Sequence, residues 1–187
     1  PEAMEAVNET IRALLLERHR KYRQSGLAGI ASYVRAGGME TWPDELLRVA
    51  IAPDAVLSEE FPDFYRAMLD YPKSNEGIGS RFYWTKEVLD GHAVFSLGHH
   101  FYQPGDEFTA IAVRSYYVSR SYDMQQLLIG LARHGPETIL ICSQRAASDQ
   151  MAGITRAGKR KQARAWAEAA AVRIVEALRR GGDAPRD

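Results

Sequence analysis

The sequence predicts an α+β domain, a curved antiparallel sheet gripping a long C-terminal helix, and three observations carry that expectation. Hydrophobic periodicity changes from about 3.6 residues to 2 near Gly79. The stretch that follows is cut by Asp90-Gly91, Pro104-Gly105-Asp106 and His134-Gly135-Pro136, which is turn chemistry of hairpin length. Downstream, Arg160 to Arg180 is alanine-rich with Trp166, Ala170, Ile174, Val175 and Leu178 on one side, a helix of roughly 30 Å. A sheet with one apolar face needs a cover, and this helix is the economical one.

Taken in order, Glu2 to Gln24 carries Val7, Ile11, Leu14, Leu15 and Arg18 at three- and four-residue steps among charges, the pattern of an amphipathic helix. It ends at Ser25-Gly26. Leu27 to Val34 reads as a short extended segment before Gly37-Gly38. Thr41 as cap, followed by Pro43, Asp44 and Glu45, starts a short helix to about Ala50. Ser58-Glu59-Glu60 starts another, with Phe61, Phe64, Tyr65, Met68 and Leu69 on its face, and Tyr71-Pro72 stops it. Five strands are then expected: Arg81 to Val88, His92 to Gln103, Glu107 to Ser119, Gln125 to Arg133 and Glu137 to Gln144, forming a meander. The division that follows is an N-terminal helical extension over 1–25, one domain over 26–182 and a disordered tail over 183–187.

Composition narrows the function classes. Apolar residues make up 45% of the 187 and charged ones 26%, enough to bury one core. Lys plus Arg and Asp plus Glu stand at 24 each, so no net field draws the chain to nucleic acid or to an anionic membrane. The basic run Arg156, Lys159, Arg160, Lys161 and Arg164 sits at the start of the last helix, where cations oppose the dipole. That misfit is read as a local contact with an anionic lipid headgroup, against the plainer reading of a solvated helix start. The lone Cys142, in the run Ile139 to Ile141, forms no intrachain disulfide and reads as a small core residue. No apolar stretch has the length to span a bilayer, so a soluble chain is expected; its compartment stays open, since a start at Pro1 is consistent with a trimmed leader.

Phosphate-binding glycine loops, dinucleotide fingerprints, nucleophile elbows and zinc spacings are missing, and no cofactor or metal is expected. Paired residues on the strands are the more informative signal. Successive residues of a strand face opposite ways, and His99 is in phase with Phe95, Leu97 and Phe101, so His99 rather than His100 is expected inside. In Tyr116-Tyr117, Tyr117 is in phase with Ile111 and Val113 and is expected inside, while Tyr116 goes with Arg114. Each has a plain structural reading: a hydrogen-bonded core histidine, a cross-strand aromatic pair. Arg145 either pairs with Asp149 four residues on or turns a guanidinium to a carboxylate.

The element order, with Phe82-Tyr83-Trp84, Ser96-Leu97-Gly98-His99 and Gln144-Arg145-Ala146-Ala147-Ser148-Asp149, resembles the helix-grip fold of the START-like, or Bet v 1-like, superfamily, and bacterial members in particular. The resemblance covers about Gly29 to Arg180 and implies an apolar cavity between sheet and long helix that holds lipids, sterols or polyketides. The cavity expected here is lined by Phe95, Leu97, Val113, Ile129, Ile141, Trp166 and Ala170, with His99, Tyr117 and Arg145 as polar anchors.

Three functions remain open on this reading. The first is a carrier of a hydrophobic small molecule. The second is a cofactor-independent cyclase, dehydratase or isomerase using His99 or Tyr117 as acid or base. The third is an interaction module in which the N-terminal helix and the aromatic helix Phe61 to Tyr71 pair with a partner or with a second copy of the chain.

Overall fold

The computed structural model describes residues 2–34, 38, 40–51, 55–89, 91–120, 123–148, and beyond them 155, 157–158, 160–161, 164–165, 168–169, 171–172 and 176. The chain divides into two compact units, Pro1–Gln150 and Met151–Asp187. In the first, helix α1 (Glu2–Ser25) leads through a 3-10 turn (Gly26–Gly29) to the short hairpin β1 (Tyr33–Val34) and β2 (Glu40–Thr41). Helices α2 (Pro43–Ile51), α3 (Ala55–Glu60) and α4 (Pro62–Asp70) follow. Then come the five strands β3 (Gly79–Leu89), β4 (His92–Gln103), β5 (Phe108–Val118), β6 (Met124–His134) and β7 (Glu137–Ala147). They pair in sequence order, all antiparallel, as the hairpin turns require.

The expected aromatic helix is two helices, because Pro62 lacks the N–H that a continuous helix would need there; as an N-terminal residue of α4 the same proline is well placed. Phe64, Met68 and Tyr71 of this region are buried, so they belong to the core and form no partner surface. In the second unit the described residues from 157 to 172 and residue 176 are helical. Arg164 there pairs with Glu168 at 2.8 Å, and Arg160 and Lys161 are exposed. Trp166, Ala167, Ala170, Ile174, Val175 and Leu178, and with them the cavity expected against that helix, lie outside the described residues, as do Arg156 and Lys159 of the basic run.

One face of the sheet is covered by helices from the first half of the chain. Alpha-2 packs on β6 and α4 on β4. The division at residue 25 sets α1 apart as an extension, whereas in the structure α1 places Tyr22 at the centre of the core, fully buried. Its charge-rich sequence hides this role, because its buried contact is made through a tyrosine rather than a run of aliphatic residues.

Register decides which strand residues share that face. Opposite one another stand Trp84, Leu97 and Tyr117, then Phe82, His99, Arg114, Gln126 and Arg145, then Phe101, Ala112 and Leu128. Val113 pairs with His100 and Ile111 with Tyr102, so Val113, Ile111, Leu127 and Ile129 lie on the reverse face. This corrects the expected cavity lining, which joined Val113 and Ile129 to Phe95, Leu97 and His99. Ile141 does share the face of His99, through Gly130 and Ala110, but is 58% exposed. Cys142 beside it is exposed too, not a core residue, because β7 is the edge of the sheet.

Tyr117 reaches the same face as Arg114 only through a bulge. Leu97 pairs with Tyr117 and Gly98 with Ser115, which leaves Tyr116 as an extra residue. The Tyr33 hydroxyl accepts from the Val118 N–H at 3.1 Å and donates to the Tyr116 carbonyl at 3.4 Å, satisfying backbone groups that the bulge removes from the ladder. Both tyrosines are thereby buried, Tyr116 at 2% exposure and Tyr117 at 7%.

The junction between α1 and α4 is tight. Gly26 has φ +58°, and a Cβ there would meet the Tyr71 carbonyl oxygen at 1.7 Å, whereas Gly77, at φ +73°, has open space around it. Gly77→Ala is expected to cost about 1 kcal/mol, the backbone penalty alone. Gly26→Ala should cost more than about 3 kcal/mol, since the chain must also move apart. Urea unfolding of both variants checks this, and equal midpoints would contradict the packing described.

Candidate functional site

The inner face holds a polar cluster built around Arg114. Its side chain is fully buried, and none of the ion pairs among the described residues involves it. Instead Nη2 donates to the Met68 carbonyl at 2.6 Å, Nη1 to the Tyr22 hydroxyl at 3.2 Å and Nε to Gln126 Oε1 at 3.1 Å. Met68 lies in the last turn of α4, where carbonyls have no helical partner and the dipole is negative, so a cation is well placed. The guanidinium also lies over the Phe101 ring, 5.2 Å from its centroid.

From Arg114 the hydrogen bonds lead on to His99. A guanidinium only donates, so the Tyr22 hydroxyl accepts from it, and the same hydroxyl shares a 3.0 Å hydrogen bond with His99 Nδ1. His99 Nε2 is buried and has no hydrogen-bond partner among the described residues. Phe82 stacks on the imidazole at 4.3 Å, and Tyr71 and Phe101 close round it at 4.6 and 3.8 Å. Burial, with the Arg114 charge second, pushes the His99 pKa down to about 3. Burial likewise raises the Tyr22 phenol, against the pull of Arg114.

A second link leads outward. Tyr116 stacks on Tyr22 with centroids 4.0 Å apart and planes 5° from parallel, and its hydroxyl shares a 2.8 Å hydrogen bond with His19 Nδ1. Burial raises the Tyr116 phenol above its ordinary value and lowers the His19 imidazole, which Arg23 lowers further. At neutral pH the pair is a neutral imidazole against a neutral phenol.

His19 lies in the wall of a groove of about 670 Å³ between α1 and the sheet. Asn8, Ile11, Arg12, Leu15, Leu16 and His19 form the helix side, and Phe82, Trp84, Lys86, Phe95 and Leu97 the sheet side. The volume is within the range of small-molecule sites, and the lining is mainly apolar. Phe82 meets His19 edge-on at 4.9 Å, so the groove ends at the polar cluster.

Of the residues singled out from the sequence, Phe95 and Leu97 line this groove and His99 lies behind its inner end, fully buried. Tyr117 sits under the Arg18 guanidinium at 4.5 Å and beside Tyr33. Arg145 is half-buried opposite Gln126 on β6, and Asp149, its expected partner, lies outside the described residues. Ile141, Val113 and Ile129 do not join the site, and Trp166 and Ala170 lie outside the described residues. His19, Tyr22, Arg114 and Tyr116 carry the polar chemistry and were not among the expected anchors. A signal was present in α1, where Ile11, Leu15, His19 and Tyr22 continue one stripe at steps of four and three.

Comparison with family models, curated proteins and solved structures finds no match for this chain.

The His99 environment has a consequence for stability against pH. Below its ordinary value of 6.5 the unfolded chain takes up a proton that the folded imidazole refuses until about 3, so stability falls as pH drops through that window. His19 and His100, both lowered by burial, act in the same direction. His99→Gln should reduce the slope of unfolding free energy between pH 6.5 and 4 by up to about 1.4 kcal/mol per pH unit. Denaturant melts across that range measure it; an unchanged slope would mean that His99 is not buried neutral.

Proposed function

We propose that the protein binds a hydrophobic small molecule in the groove between α1 and strands β3 and β4. The observation that carries this reading is the groove itself: about 670 Å³, lined mainly by leucine, isoleucine and aromatic side chains. Two of its lining residues are large apolar groups left exposed, Leu16 at 47% and Trp84 at 65%, surface that a ligand would remove from water. The resemblance to START-like proteins implies the same ligand class, although the wall used here is the N-terminal helix. Binding of a neutral apolar fluorophore such as N-phenyl-1-naphthylamine tests the proposal. Leu16→Asp, at an exposed position where the fold tolerates charge, should weaken it about tenfold or more. No binding by the native chain, or equal binding by the variant, would count against the groove.

A second reading, cofactor-independent proton transfer, is favoured by the His19–Tyr116 pair. With Nδ1–H donated to the Tyr116 oxygen, Nε2 keeps its lone pair for a proton of a bound substrate, and the lowered pKa keeps that lone pair available at neutral pH. His99 is a poorer base for this role, since its Nδ1 is already occupied by Tyr22 and it is not part of the groove wall. On this reading His19→Gln abolishes turnover of a groove-bound substrate and leaves its affinity within about twofold. A variant that keeps its turnover would remove His19 from the chemistry.

A further inference from the structure

We infer that the groove's ligand is a single-chain amphiphile with a carboxylate head, held at the groove's outer end by Arg12 and Lys86. The inference rests on the groove being a binding site and adds the chemistry and direction of its ligand. Every charged side chain named in the described lining is a cation: Arg12 on α1 and Lys86 on β3, with no Asp or Glu among them. Neither takes part in an ion pair among the described residues, although acidic and basic residues are equal in number over the chain. Lys86 Nζ lies 5.7 Å from the Phe95 ring centroid, so its charge is held against the apolar wall.

The two cations also share one end of the groove. Tyr22 of α1 packs on Phe82 and His99, and Arg18, one helical turn earlier, lies over Tyr117, the cross-strand neighbour of Leu97. Moving back along α1 therefore moves outward along β3 and β4, towards Lys86 and its partner Phe95. The seven residues from His19 to Arg12 span about 10 Å of helix and the four from Phe82 to Lys86 about 13 Å of strand, so both cations of the lining stand a similar distance from the His19–Phe82 contact. An extended acyl chain would lie on the apolar walls with its tail towards Phe82 and its head between the two cations, where a carboxylate gains charge-assisted hydrogen bonds.

The test compares cis-parinaric acid with its methyl ester by fluorescence titration, on the full chain and on Arg12→Gln/Lys86→Gln. Both side chains are exposed, so the variant should fold, and circular dichroism checks that it does. The acid is expected to bind the native chain about tenfold more tightly than the ester, and the variant should lose that preference. Equal affinity for acid and ester in the native chain would overturn the carboxylate inference and leave the hydrophobic site standing. An acid preference that survives the double substitution would overturn the role of these two cations. Failure of both probes to bind the native chain would remove the site and the inference with it.

Discussion

The buried guanidinium of Arg114 is the constraint on which the rest of the inner face depends. A cation taken out of water must find its compensation nearby, and here that comes from the open carbonyl of Met68, a tyrosine hydroxyl and a glutamine amide rather than from a carboxylate. Those acceptors belong to α4, α1 and β6, so one side chain on β5 fixes the positions of three other elements. From it the hydrogen bonds run on through the Tyr22 hydroxyl to His99 Nδ1. Few of these links could be exchanged singly, because removing any acceptor leaves a charge with one partner fewer and no water to replace it.

The same arrangement separates a closed half of the inner face from an open one. Behind His19 the space between helix and sheet is filled by Tyr22, Tyr71, His99 and Phe101, packed ring against ring in stacked, edge-on and tilted contacts. In front of it Ile11, Leu15 and Leu16 are aliphatic and shorter, and the groove opens. His19 and the Tyr116 hydroxyl stand at this boundary, the place where a polar group can meet both a ligand and the core network.

Local chemistry made much of the fold legible in the sequence. Turn residues bounded the strands, and the expected range His92 to Gln103 is that of β4, while the others agree within a few residues. Inward placement of His99 followed from simple alternation and is what the burial shows. Alternation failed on β5 because it assumes that each strand keeps one phase and that the apolar residues mark the inner face. The inner face of β5 is instead Ala110, Ala112 and Arg114, small and charged, since helices supply the bulk there, and the bulge then changes the phase. The groove was missed for a related reason: its helical wall comes from a charge-rich segment whose inward stripe passes from Ile11 and Leu15 to His19 and Tyr22, so aliphatic residues alone do not mark it.

The extra residue at Tyr116 also sets how β5 can vary in evolution. Before it, the positions that face the helices are even-numbered, and substitutions at odd positions change only the reverse face. After it, Tyr117 takes over, so the rule for which sites tolerate polar exchange inverts in the middle of one strand. Loss of a single residue here would restore a regular ladder and yet carry one of the two aromatic groups out of the core. Among descendants of this chain, the length of β5 between Arg114 and Val118 should therefore be held more strictly than the identity of several residues within it.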